Sequence, residues 1–171
     1  MKFLSMLYKL EEIEEGMAKF YKSLFEKYPL NLKASTLFYK MYLEEKSHLN
    51  LVRYQKRVVW QNQSLFKDID CQSGDCLEST SEEVRRALDM VEKMDLRQAV
   101  EKAIELEKGA AESHLKGFTR NSNLKFGLFL ENLCKDDVEH YSKLERFLKT
   151  LKEKDDANEI AEQMLRKAIS L

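Results

Sequence analysis

Turn-forming residues are scarce in this chain of 171 residues, which has one proline and five glycines. A many-stranded β protein needs frequent turns, so the scarcity excludes one and leaves a mostly helical fold. Three cysteines, an odd and small number, exclude a disulfide framework. No apolar run approaches the ~18–20 residues that a membrane span requires. The opening MKFLSMLYKLEEIEE turns acidic before a signal-peptide cleavage site could occur, so a cytoplasmic protein in a reducing compartment is expected. Surplus charge is missing as well. With 29 basic against 30 acidic side chains the net charge is -1, which offers neither nucleic acid nor an anionic membrane an attractive surface. What is abundant, 43% apolar and 35% charged residues, is the mixture of amphipathic helices, and the length suits a single domain over residues 1–171.

Apolar residues recur with the helical period in four long segments. Phe3, Leu7, Leu10, Met17, Tyr21, Leu24 and Tyr28 form the first stripe, ended by Pro29. Ala34, Phe38, Met41 and Val52 form the second, in a helix expected to continue to Arg57 or Trp60. From residue 61 to 94 the pattern weakens into a crossover: a loop with Cys71 and Cys76, the cap signature Thr80-Ser81-Glu82-Glu83, and a short helix Val84 to Lys93. A second cap, Asp95 to Gln98, opens a third stripe of Val100, Ala103, Ala110 and Phe118, followed by a loop at 119–123. The fourth helix begins at Leu124, with Phe126, Leu130, Leu133, Leu144 and Phe147 on one face, and an amphipathic fifth is expected from about Asn158. Adjacent antiparallel helices need only ~2–8 residues to join. The long link between the second and third therefore predicts an all-α four-helix bundle with one crossover connection.

Each stripe is interrupted where an apolar residue is due: by Glu14 in the first, Glu45 and His48 in the second, Glu107 and His114 in the third, and Asp137 and His140 in the fourth. Carboxylates facing a bundle core from four helices are costly unless cations compensate them. Two divalent metal ions would balance four carboxylates, with neutral histidines as further ligands. Glu45-Lys46-Ser47-His48 and Asp137-Val138-Glu139-His140 each place a carboxylate and a histidine three residues apart, on one helix face. The halves 1–57 and 95–151 also match in sequence, with the second set of residues 92 or 93 positions after the first. Between Leu10–Phe25 and Ala103–Phe118 five of sixteen aligned positions are identical, Glu14/Glu107 and Gly16/Gly109 among them.

In these residues the chain resembles the ferritin-like di-iron carboxylate proteins, and among them the rubrerythrin-like members, over roughly Lys2–Lys56 and Asp95–Leu151. The resemblance implies a ferritin-like bundle holding two iron ions, or manganese or zinc in their place. Glu14 and Glu107 would be terminal ligands, Glu45 and Asp137 bridging carboxylates, and His48 and His140 the nitrogen ligands. It also implies reduction of hydrogen peroxide or dioxygen with electrons from an external donor protein, and a homodimer. Two positions depart from the family: Ala110 stands where rubrerythrins carry a further carboxylate, and Asp137 where Glu is usual. Ferroxidase or iron-handling activity would use the same ligands, and a bundle acting as an adaptor or sensor would need no catalysis.

Several neighbouring residues invite simpler readings. Tyr21 and His114 occupy matching places seven residues after Glu14 and Glu107, behind the ligands: Tyr21 reads as core packing, as a hydrogen-bond donor or as a redox-active group, and His114 as a hydrogen-bonded core histidine or a ligand. Glu11, Glu12, Glu44, Glu101, Glu105, Glu112, Asp136 and Glu139 read as solvated faces, and Cys134 as a small buried apolar residue. Cys71 and Cys76, with Cys134, are too few for a four-thiolate iron centre, which leaves a labile disulfide or two free thiols in the crossover and an electron source outside the chain.

Overall fold

The computed structural model describes residues 3–66, 74–119 and 134–153, with side chains except at 3, 65, 74, 75 and 113–119. The described residues are helical, with no strand. Helix α1 spans Phe3–Lys27 and α2 spans Leu32–Gln61. Helix α3 spans Gly74–Met90, α4 spans Leu96–Thr119, and α5 covers residues 134–153. No helix among the described residues is long and apolar enough to cross a membrane.

The helix ends follow local chemistry. Pro29 sits in the turn after α1, and the Asn31 side chain caps α2 by accepting from the Ala34 amide at 3.1 Å. Before α4, Asp95 accepts from the Gln98 amide at 2.8 Å while the Gln98 side chain accepts from the Asp95 amide at 3.0 Å, a reciprocal box of the kind expected there. The cap reading of Thr80–Glu83 is corrected. Helix α3 already runs from Gly74, so Thr80 and Ser81 lie within it and are buried. Leu77, Val84, Ala87 and Val91 belong to the buried core, and that burial outweighs the weak helix preference of Ser and Thr. Residues 124–133 of the expected fourth helix, with Phe126, Leu130 and Leu133, lie outside the described residues, as do the fifth helix from Asn158 and Cys71. Cys134 is half-buried rather than buried.

Helix directions can be read from residue pairs. Between α1 and α2, Glu11 accepts from Arg53 at 2.8 Å and Phe25 meets Tyr39 with ring centroids 5.1 Å apart, so the two are antiparallel. Helix α3 runs parallel to α1, pairing Lys9 with Glu78 at 3.0 Å and bringing Val84 against Gly16. Helix α4 then runs antiparallel to α1: Tyr28 donates to the Met94 carbonyl at 2.8 Å and Tyr21 to Glu107. Helices α2 and α4 therefore point the same way, which obliges the chain to travel the length of the bundle between them. With 17 residues, α3 covers ~25 Å of that path. Helix α5 lies antiparallel to α2, with Asp136 3.2 Å from His48 and Lys143 3.3 Å from Glu44, and meets α4 through Lys108 and Glu145 at 2.7 Å.

Helix α1 is the most enclosed. Besides its expected stripe it buries Met6, Ile13 and Phe20, which share a side with Lys9, Glu12 and Gly16, the side α3 covers. The end of α3 is pinned there by Lys27, whose ammonium donates to the carbonyls of Val91, Glu92 and Met94 at 2.7 Å each. These carbonyls terminate a helix, and a cation is favoured at that pole.

The repeat-related glycines both face α3 but differ in clearance. A Cβ on Gly16 would come within 2.5 Å of Val84 Cγ1, whereas the nearest atoms to one on Gly109 are Glu83 Oε2 and Thr80 Oγ1 at 3.9 Å. Gly16→Ala is expected to destabilise the protein by about 1–3 kcal/mol through overpacking. Gly109→Ala is expected to stabilise it by about 0.5–1 kcal/mol, because alanine is the better helix former. Urea unfolding of the two variants followed by circular dichroism checks the opposite signs.

Candidate metal centre

All six residues chosen as ligands from the stripe interruptions are buried at the meeting of the four helices. Glu14 and Glu45 are 1% exposed, Glu107 0%, Asp137 and His140 2%, and His48 4%. Their charged neighbours one residue away point outward, the side chains of Glu15 and Glu44 being 42% and 41% exposed. The helix phase inferred from the stripes is therefore the observed one.

Five of the six form two groups able to hold a metal ion: Glu14, Glu45 and His48, and Glu45, Glu107 and His140, the offered ligand atoms in each lying within 4.8 Å of one another. Glu45 belongs to both. His48 Nδ1 lies 3.6 Å from Glu14 Oε2 and 3.5 Å from Glu45 Oε2. His140 Nδ1 lies 3.0 Å from Glu45 Oε1 and 3.4 Å from Glu107 Oε2. The imidazoles stack, with centroids 5.5 Å apart and planes inclined by 21°. Asp137 is buried beside them, and its charge acts on Glu107 and Tyr21, but it belongs to neither group. Its side chain is one methylene shorter than the glutamate at the matching position, Glu45.

The Nδ1 atoms of both histidines, Glu45 Oε1 and Glu107 Oε2 are buried without an aligned hydrogen bond, although ion-pair distances separate them. Buried polar atoms seldom go unsatisfied. Here they converge, and a cation accepting their lone pairs would satisfy them together. A set of carboxylate oxygens and imidazole nitrogens suits iron, manganese or zinc.

The opposite edge of each imidazole is held by a carboxylate. His48 Nε2 lies 3.2 Å from Asp136 Oδ2, and His140 Nε2 lies 3.0 Å from Glu44 Oε2. Each carboxylate comes from the other histidine's helix, and Glu44 and Asp136 are themselves 92 positions apart. In the neutral imidazole that a metal requires, an acceptor at Nε2 would make that nitrogen the proton-bearing one and leave the Nδ1 lone pair toward the centre. Glu44 and Asp136, read from sequence as solvated, are thus orienting groups. Their signal was the doubled acid ahead of each histidine, Glu44-Glu45 and Asp136-Asp137. Lys143 bridges Glu44 at 3.3 Å and Glu139 at 3.2 Å. Together with Ser47 and Leu51 these residues line a cleft of ≈ 220 Å³ above the two histidines.

Tyr21 is fully buried and its hydroxyl donates to Glu107 Oε1, leaving Oε2 toward the centre. Burial, then the charges of Glu107 and Glu45, hold its pKa well above the usual phenol value, so it remains a donor. The role of hydrogen-bonding group behind the ligands therefore holds for Tyr21, while the side chain of His114 lies outside those described. Glu107 is raised above the usual carboxylate range by burial and by the nearby charge of Glu45. For His48, burial opposes the charged form, but Glu14 and Glu45 outweigh it and raise the pKa to about 12. The same balance, set by Glu107 and Glu45, raises His140 to about 11.

No family model matches the chain, and no curated protein or solved structure is significantly similar to it.

Two outcomes follow from this geometry. Without metal, the folded protein holds protons on His48 and His140 that the unfolded chain releases near pH ~6.5. This stabilisation is complete below that pH and is lost as pH rises toward the raised native values, so apo stability falls with pH. Metal displaces those protons, the native state then binds fewer than the unfolded chain, and stability between pH ~5.5 and ~7 rises with pH instead. Urea midpoints with chelator and with added Zn(II) should show the reversal of slope. Asp136→Ala is expected to weaken Zn(II) affinity about 10–100-fold, while Glu139→Ala leaves it unchanged. Competition titration against a chromophoric chelator measures both.

Proposed function

We propose that this chain is a rubrerythrin-like di-iron protein of ferritin-like architecture that reduces hydrogen peroxide or dioxygen with electrons from a separate donor protein. The observation that carries the reading is the pair of Glu–Glu–His groups sharing Glu45 at the centre of the helices. The common direction of α2 and α4, linked by the long α3 crossover, supports a ferritin-like bundle.

In this reading Glu14 and His48 would hold one iron and Glu107 and His140 the other, with Glu45 belonging to both groups. When bound, the pair supplies two electrons to the substrate, and carboxylate-rich ligation favours its oxidised state. The protein's own groups set the conditions. Asp136 and Glu44 fix the imidazole orientations, and Tyr21 fixes that of Glu107. The cleft over the histidines admits a molecule as small as peroxide or dioxygen. Ala110 is buried and offers no carboxylate where rubrerythrins carry a further one. Asp137 adds negative charge beside the two ligand groups, where it acts on Glu107. Manganese or zinc fits the same donors, and a homodimer is the assembly the family resemblance favours.

Anaerobic reconstitution is expected to give about two Fe(II) per chain, and Glu45→Ala fewer than one, since that residue serves both groups. Stopped-flow absorbance should then show rapid oxidation by peroxide, with sustained turnover only when a one-electron donor protein is supplied. Accumulation of ferric iron well beyond two per chain would point instead to iron handling. Metal binding without oxidation would leave the bundle a non-catalytic adaptor or sensor.

A further inference from the structure

The cleft above the two histidines is lined by residues that match in pairs, 92 positions apart. Two pairs keep the same chemistry: Glu44 with Asp136, and His48 with His140. The other two do not. Where one half has Ser47 and Leu51, the other has Glu139 and Lys143. The acid that holds an imidazole is thus supplied to both histidines, whereas the lysine of the cleft stands on the side of His140 only.

Lys143 acts on the acid behind His140. Its ammonium lies 3.3 Å from Glu44 Oε1 and 3.4 Å from Glu44 Oε2, and Oε2 is the oxygen 3.0 Å from His140 Nε2. It also lies 3.2 Å from Glu139 Oε1, but the Glu139 side chain is 65% exposed against 28% for Lys143, so water screens that acid more than it screens the cation. Burial works against the ammonium, yet Glu139 and Glu44 outweigh it, and Lys143 stays charged. A carboxylate on the far edge of a ligating imidazole makes that imidazole a better donor. An ammonium on the same carboxylate draws its charge away and adds positive charge on that side of the metal position, and both effects oppose a bound cation. At the matching place, beside Asp136 and His48, Leu51 has no charge with which to do either.

We propose that Lys143, acting through Glu44, lowers the metal affinity of the position at His140 and leaves that of the position at His48 untouched. The inference rests on the reading of the two Glu–Glu–His groups as a metal centre, and not on the substrate assigned to that centre. Lys143 is a positioning residue and not a ligand, since an ammonium has no lone pair to offer a metal. It breaks, on one side only, an arrangement of acid and imidazole that the two halves otherwise share.

Zn(II) is the probe, because it takes the same donors without redox chemistry. The full chain, with isotopically labelled histidine, is titrated by NMR in competition with a chelator, and the ring nitrogens of His48 and His140 each report the metal at their own position. Lys143→Leu, which gives both halves the same residue, is expected to tighten binding at His140 about fivefold and to change binding at His48 less than about twofold. Asp137 is present in both proteins compared, so the difference reads the lysine alone. Leu51→Lys, which sets an ammonium beside Asp136, is expected to weaken binding at His48, and Lys143→Arg, which keeps the charge, to match the wild type. Circular dichroism checks that each variant is folded. Unchanged or weaker binding at His140 in Lys143→Leu overturns the proposal, as does an equal change at both histidines. If neither histidine of the wild type responds to Zn(II), the metal centre is refuted and the proposal with it. Two responding histidines without the selective effect refute only the part given to Lys143.

Discussion

Four carboxylates and two imidazoles are shut away from water in the middle of this bundle, and the rest of the structure answers to that constraint. Glu14, Glu45, Glu107 and Asp137 arrive one from each of α1, α2, α4 and α5. Ionised together they would repel across a medium that screens poorly. In the metal-free chain the available compensation is protonation, which explains why both histidine pKa values move up despite burial and why that of Glu107 is raised. Such a solution leaves Nδ1 and carboxylate oxygens close but misaligned for hydrogen bonding. Divalent cations would meet the same need without the misalignment, because a metal takes its ligands by lone pair and not along an N–H bond.

The constraint is met by two sets of residues at a constant separation in sequence. Residues 92 or 93 positions apart take corresponding places: Glu45 and Asp137, His48 and His140, Glu44 and Asp136, Gly16 and Gly109. Each histidine is steadied by an acid from the partner half, so neither half can orient its own imidazole alone. Helix α3 belongs to neither repeat and lies against both glycine-bearing helices, more tightly on α1. Asymmetry enters there and at Asp137, where the shortened side chain leaves Glu45 as the residue common to both groups.

Partial exposure does not make an acid idle. Glu44 and Asp136 look like solvated surface by composition and by accessibility, their side chains being 41% and 52% exposed. Their carboxylates nevertheless decide which nitrogen of each buried histidine faces inward. The cleft on that side is lined by Glu44, Asp136 and Glu139 with Lys143 among them.

The helical class, the stop at Pro29, the start at the Asp95–Gln98 box, and the phase of the four inward faces were all legible in the sequence. Each depends on neighbours a few positions apart, and an apolar period of 3.6 broken by Glu14, Glu45, Glu107 and Asp137 has one solution on a helix. Other features were decided by tertiary contacts. Helix α3 begins at Gly74, ahead of the expected Val84, because Leu77 and Thr80 are buried in the assembled bundle, a gain no local preference reports. The histidine partners Asp136 and Glu44, the tyrosine on Glu107 and the exclusion of Asp137 from both metal-capable groups join residues from different helices. Periodicity tells which side of a helix faces inward, but only the packing of one helix against another sets which atoms meet there and at what distance.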